Sequence, residues 1–202
     1  MPPARPALPA ASAGPISPPS VGAGKRTGGI NAVAGLLNPT SPLARLLDGP
    51  LRPGRVSWIG LRPARHAPML TPPALHLTPE DGVSGDHYAS RTGAARGVTL
   101  MEGECLAAIF SYLGQGGQDA PDPRLLRRNV VTSGINLDAL KERRFQVGGA
   151  VLEWTGPCHP CSRMEALLGP GGYNAVRGRG GITARVLDAG NVAVGDAVVR
   201  LG

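Results

Sequence analysis

The stretch GPCHPCSRMEALLG, residues 156–169, holds two of the three cysteines of the chain, Cys158 and Cys161, with only His159 and Pro160 between them. Thiols at this spacing suit three kinds of chemistry, attack on sulfur, ligation of a soft metal or thiol–disulfide exchange, or they do none and sit in a structural turn. Ser162 and Glu165 fit an S-x-x-E capping box, and Gly169 suits the left-handed position that ends a helix. With Ser162 as the cap, Cys161 stands just outside a helix N-terminus, where unpaired amides and the helix dipole favour an anion. The thiolate is the form stabilised there, and the thiolate is what attacks sulfur or binds a soft metal. His159 can pass a proton to a leaving group or serve as an exposed turn residue.

The alternatives differ in what else they need. A structural zinc site takes about four ligands; Cys158, His159 and Cys161 are too crowded to supply three, and no second CxxC or HxxxH exists. A thioredoxin-like dithiol follows a strand in an alternating α/β pattern; VLEWTG reads as a strand, but the surrounding pattern does not alternate. Two inert thiols in a proline-bounded turn stay open. A single reactive Cys161 is the reading the residues favour. The third cysteine, Cys105, falls on the apolar stripe of a helical pattern and reads as a small buried hydrophobe.

The net charge of +7 is carried almost wholly by arginine, Lys25 and Lys141 being the two lysines. Arg5, Lys25, Arg26 and Arg45 against Asp48 place about three of those charges in the first fifty residues, leaving a moderately basic folded part. Arginine forks suit phosphates and carboxylates. Neither aromatic stacking platforms nor a dense basic stripe is visible, so a small anionic cofactor is expected rather than nucleic acid. Three cysteines make no disulfide framework, and a reducing compartment, the cytoplasm, is expected. No apolar run reaches the length of a membrane span, so a soluble protein is expected.

The elements that must position these groups follow from composition. Residues 1–40 are rich in Pro, Ala and Gly, bury little apolar surface and are expected to be disordered. Prolines interrupt every run that could serve a secretory signal; the basic, nearly acid-free character leaves an organelle transit segment open. A folded domain is expected over 50–202. Strands are predicted near Val56–Leu61, Ala74–Leu77 and Val98–Leu100, and an amphipathic helix over Glu102–Leu113. Pro123 can begin a brief helical turn. RRNVVTSGINLDAL, FQVGGAVLEWTG and ITARVLDAGNVAVGDAVVRL are short β-branched runs broken by Gly, Asn and Asp, with hairpin turns expected at Asp188–Asn191 and Gly195–Asp196. The fold expected is mainly β, a small barrel with one or two packed helices.

The runs LRRNVVTSGINLDAL, RFQVGGAVLEWTGPCHPCSRME and GGITARVLDAGNVAVGDAV, with GDHY at 85–88 and RGVTLMEGE at 96–104, resemble the MOSC domain, the module named for the C-terminal part of molybdenum-cofactor sulfurases. The likeness covers about residues 50–202. It implies a mostly β, barrel-like domain that handles reactive sulfur and the molybdenum–pterin cofactor (molybdopterin). One cysteine, matching Cys161, would be persulfide carrier or molybdenum ligand. Some relatives reduce N-hydroxylated compounds with electrons from a partner protein, and those carry a further N-terminal β-barrel region where this chain has its Pro-rich tail. A cysteine desulfurase is the partner implied for a carrier.

Around that cysteine, the resemblance makes Arg128 and Asn129 cofactor contacts at the pterin phosphate, and the neighbouring Ser133 and Gly134 are candidates with them. Arg127 reads equally as part of a solvated turn. Gly178–Gly181, with Gly180 and Gly181 as candidates, can let backbone amides approach a phosphate or can form a plain hairpin. Arg185 lies in an apolar strand pattern, where an inward arginine needs an anionic partner and an outward one faces water. Asp86 and His87 are candidates for a polar pair beside the site. Pyridoxal phosphate is not expected, because a Schiff base needs a lysine and the folded part offers only Lys141, in a charged turn.

Overall fold

The computed structural model describes residues 38, 40–88, 95–115 and 122–202. The disorder expected of residues 1–40 falls almost wholly outside them. Among the described residues there are ten strands: β1 (Gly54–Ile59), β2 (Ala74–Thr78), β3 (Gly82–Val83), β4 (Val98–Glu102), β5 (Val130–Ser133), β6 (Arg144–Val147), β7 (Ala150–Pro157), β8 (Ile182–Asp188), β9 (Gly190–Ala193) and β10 (Ala197–Arg200). Four α-helices accompany them: α1 (Pro42–Leu47), α2 (Gly103–Tyr112), α3 (Ser162–Leu168) and α4 (Gly172–Val176). Short 3-10 turns cover Pro123–Leu126 and Leu137–Leu140.

Seven strands close a barrel in the order β1-β10-β6-β7-β8-β4-β5, and β3-β2-β9 form a separate three-stranded sheet. The mainly β, barrel-like architecture read from the sequence is the one observed. Every barrel pairing is antiparallel except β4 with β5. A parallel pair cannot be joined by a tight turn, and α2 with the segment behind it makes the crossover.

The alternation of side chains along β4 and β5 explains why each carries apolar residues at successive positions, Leu100–Met101 and Val130–Val131. Leu100 and Val130 belong to the cluster that fills the barrel, with Phe145, Leu152 and Ile182. Their neighbours Met101 and Val131 point the other way, into a second cluster with Leu106 and Ile109 of α2, Met164 of α3 and Val176 of α4. Both faces of these strands are covered here, so successive residues are buried on opposite sides. The helices thus pack against the outer wall of the barrel, and the candidate site lies where that layer meets the wall.

Two local expectations are corrected. Asp188–Asn191 and Gly195–Asp196 do turn the chain, but neither closes a hairpin: β8 pairs with β4 and β7, β9 with β2, and β10 with β1 and β6. Ser162 is the first residue of α3 and not its cap; Cys161 occupies the cap position, with extended backbone and no side-chain cap bond. The Glu165 carboxylate turns forward instead and accepts the N–H groups of Gly171 and Tyr173, at 2.8 Å each, so it serves the start of α4. Gly169 ends α3 at φ 83° and ψ −174°, a positive-φ conformation open to glycine but not the left-handed helical one expected.

Candidate functional site

Cys158 follows β7 directly, and its N–H donates to the Gly181 carbonyl (2.8 Å). It is half-buried, whereas Cys161 and His159 are exposed. Cys158 lines two clefts. The smaller, about 160 Å³, is bounded by Arg62, Tyr88, Arg96, Thr99, Arg128, Cys158 and Thr183. Thr99 and Thr183 are register partners on β4 and β8, so the barrel wall forms part of this cleft.

Arg128 is the most deeply buried arginine of the smaller cleft, only 7% exposed, with Arg62 close behind. Its Nε donates to the Gly180 carbonyl (2.8 Å) and its Nη1 to that of Leu126 (2.7 Å), which fixes the plane of the guanidinium. Its Nη2 is buried and has no partner among the described residues. Burial pushes the Arg128 pKa below the usual arginine range, and the nearby Cys158 pushes back most strongly, Arg62 adding to the fall and Cys161 opposing it. Both thiols therefore lie within electrostatic reach of this arginine.

Asn129 is placed differently from the expectation. It is fully buried, and every group of its amide is engaged within the protein. Its Oδ1 accepts from Thr99 N (3.2 Å), Thr99 Oγ1 (2.8 Å) and Arg62 Nη2 (3.0 Å); its Nδ2 donates to Gly60 O (3.2 Å) and Asp86 Oδ2 (2.9 Å). It holds other residues and has nothing left for a phosphate. Asp86 Oδ2 also accepts from Arg62 Nε (2.9 Å) and Arg62 N (3.1 Å). Burial pushes the Asp86 carboxyl up, but the hydrogen bond and charge of Arg62 and the backbone N–H groups of Tyr88 and Arg62 outweigh it and hold the group below the usual carboxylate range. His87 lies beside it, Nδ1 to Oδ1 3.4 Å.

The larger cleft, about 610 Å³, is lined by Cys105, Pro157, Cys158, His159 and Gly178–Gly181, and on its other side by Glu102, Glu104, Ile135, Asn136 and Asp138, with Arg179 among the lining residues. Its size lies in the range of small-molecule pockets. Cys105, expected to be buried, is half-buried here. Burial pushes its thiol up, the Glu102 carboxylate adding to this and Arg179 opposing it. Arg179 itself stacks over the Tyr112 ring at 5.2 Å.

The other candidates divide. Gly180 and Gly181 line the larger cleft, but their lack of a side chain serves close backbone packing: a Cβ on Gly180 would lie 2.1 Å from Cys158 O, and one on Gly181 2.0 Å from Leu100 O. Ser133 ends β5 opposite Arg55, and Gly134 donates its N–H to Glu104 Oε1 (2.8 Å); neither borders either cleft, although the next two residues do. Arg127 takes a left-handed conformation and donates to the carbonyls of Ala67 and Ala64, tying down the loop that follows Arg62. Arg185 faces outward and pairs with Glu153, its register partner on β7, at 2.8 Å. An outward, paired arginine on the barrel wall is removed from the cofactor set.

Arg62, Arg96, Thr99 and Thr183 were missed from the sequence. Arg62 sits in a Pro- and Arg-rich loop 24 residues before its carboxylate partner, with no spacing to connect them. Among the described residues no group of three His, Cys, Asp or Glu side chains is arranged to hold a metal ion. No helix among them is long and apolar enough to cross a membrane.

A closed barrel whose outer wall carries thiols beside a buried, partly unpaired arginine defines a β-barrel protein with a cleft lined by cysteine and arginine. The family model of the MOSC domain matches residues 87–199, more than half of the chain, and the chain belongs to this family, which is associated with molybdenum-cofactor-related function. Among solved structures, YuaD from Bacillus subtilis superposes with a TM-score of 0.62 at 18% identity, covering 74% of this chain and 96% of that one. YiiM from Geobacillus stearothermophilus gives 0.55 at 15% identity (74% and 75% covered). YiiM from Escherichia coli gives 0.56 at 17% (73% and 70% covered). Such identities show a shared fold alone. No curated protein sequence matches the chain.

Proposed function

We propose that this chain binds the molybdenum cofactor, with Arg128, Arg62 and Arg96 holding the phosphate of the pterin and Cys161 offered to the metal as a thiolate, and that it acts as a molybdenum oxidoreductase on N-hydroxylated or similar small molecules. The observation that carries this reading is the unpartnered Nη2 of Arg128, buried beside Cys158 in a cleft with two more arginines. A buried N–H without a partner costs about 1–3 kcal/mol, and a phosphate oxygen is the acceptor a guanidinium fork matches best. The residues present therefore fit an anionic cofactor end.

When bound, the cofactor supplies a metal centre that can pass two electrons from a partner reductase to a substrate. The chain supplies the rest. Arg128 is held flat by two carbonyls before any ligand arrives, so little ordering remains to be done on binding. His159 borders the larger cleft next to Cys158, where an exposed imidazole can hold and deliver a proton to a departing hydroxyl. That cleft is the place for the substrate.

One observation favours a second reading. Cys161 is exposed, as a thiol that meets another protein must be. As a sulfur carrier it would attack the outer sulfur of a desulfurase persulfide. A new S–S bond forms on Cys161, the donor S–S bond breaks, and the donor leaves as a thiolate. Elemental and pterin analysis of protein expressed where the cofactor is made tests both. Stoichiometric molybdenum with pterin supports the oxidoreductase; metal-free protein with a one-sulfur adduct on Cys161 after incubation with desulfurase and cysteine supports the carrier. Neither metal nor adduct would overturn the two together.

A further inference from the structure

We infer that Asp86 is a positioning residue for anion capture: its buried carboxylate sets Arg62 from behind, so that the guanidinium edge left without a partner meets the cleft that Arg128 lines. The inference rests on the phosphate-holding role given above to that cleft.

Asp86 is 3% exposed, and all its observed bonds run to protein. Oδ2 accepts from the backbone N–H and the Nε of Arg62 and from Asn129 Nδ2, and Oδ1 accepts from Tyr88 N (3.0 Å). Asn129 then takes Arg62 Nη2 on its own Oδ1. Two of the three guanidinium nitrogens of Arg62 are thereby engaged, in a side chain only 11% exposed. Nη1 has no partner among the described residues, and Arg62 lines the cleft with Arg128. The two arginines are preset by different means: Arg128 by carbonyls, Arg62 by a carboxylate relayed through an amide. Thr99 closes the arrangement by giving both its N–H and its hydroxyl to Asn129.

A carboxylate in the wall of an anion site has two opposed effects. Its charge repels the ligand, which favours removing it; its hydrogen bonds hold the arginine in place, which favours keeping it. These predict opposite signs for Asp86→Asn. We expect the positioning effect to win, because without the charge Arg62 loses both its tether and the counter-ion that offsets its repulsion from Arg128.

The test is calorimetric titration of the full chain with inorganic phosphate. The wild type binds; Asp86→Asn binds about tenfold more weakly, a loss of the size of one charge-assisted contact; and Asp86→Glu, which keeps the carboxylate, recovers part of it. Melting followed by circular dichroism checks that the variants are folded. Should Asp86→Asn fail to fold, the wild type still decides: by NMR, the Arg62 Nε–H exchanges slowly without ligand and shifts in step with phosphate saturation. Equal or tighter binding by folded Asp86→Asn, or an Arg62 Nε–H already averaged with water or indifferent to phosphate, would overturn the role of Asp86 alone. A wild type that binds no phosphate would overturn the cofactor-anchoring reading and this role with it.

Discussion

Cys158 and Gly180 meet backbone to backbone, so closely that a methyl group on Gly180 would lie 2.1 Å from the Cys158 carbonyl oxygen and 3.1 Å from Arg128 Nη2. The glycine is needed for the approach of two protein segments, and that approach brings the cysteine to the arginine. Gly180→Ala must push the Cys158 segment away from β8. Its expected cost is about 1–3 kcal/mol, the usual range for overpacking, visible as a lower melting temperature, with loss of retained cofactor.

Cys161 is exposed and makes no side-chain cap bond. Cys161→Ser should change stability by less than about 0.5 kcal/mol while abolishing metal retention or the one-sulfur adduct, read by elemental analysis and mass spectrometry. Cys158→Ser should have a smaller effect on those readouts. Equal, severe unfolding in both variants would assign the sulfurs a structural role.

Phosphate should stabilise the wild type. At a hundred times the dissociation constant, a ligand bound only by the folded state adds about 2.7 kcal/mol, measurable as a rise in melting temperature. In Arg128→Leu that rise should vanish. Without phosphate the variant should itself be less stable by about 1–3 kcal/mol, because the Gly180 and Leu126 carbonyls lose their donor.

Acid should expose the Asp86 network. The folded pKa of Asp86 is depressed, so its contribution is complete above the unfolded value of about 3.9 and is lost as pH falls through the lower folded value. Stability of the wild type measured by denaturant titration should therefore fall more steeply with acidification below about pH 4–5 than that of Asp86→Asn, in which this group cannot titrate. Parallel curves would remove Asp86 from the acid limb.

Arg185 provides the negative control. Its pairing with Glu153 lies on the outer wall, both side chains partly exposed. Such pairs contribute roughly 0.2–1 kcal/mol, so Arg185→Ala should leave phosphate affinity unchanged and stability nearly so.

What was legible in the sequence was local. The β-branched runs declared β1, β4 and β7 to within a few residues, and the spacing of Leu106 and Ile109 declared α2, because these signals repeat within one element. Strand pairing was not legible, since β8, β9 and β10 follow one another in the chain while bonding to three different places. The capping box failed for a related reason: Ser162 and Glu165 have the right spacing, but Glu165 finds N–H partners six and eight residues downstream. At the site, Arg128 and Cys158 could be reached from motif and resemblance. Arg62 could not, because its meaning comes from Asp86 and Asn129, brought to it only by the folded barrel. The type of Asn129 says hydrogen bonding without saying to what, and its partners are Thr99, Arg62, Gly60 and Asp86 in place of the expected phosphate.

The position of β10 between β1 and β6 carries a consequence for biosynthesis. The ring has a gap until residues 197–200 fill it, so a nascent chain still holding that stretch inside the ribosome cannot finish its fold, whatever its earlier strands have done. Contacts that join residue 54 to residue 198 are slow to form. In the interval the unpaired edges of β1 and β6 are open to other chains, so mispairing threatens the barrel most until β10 is in place.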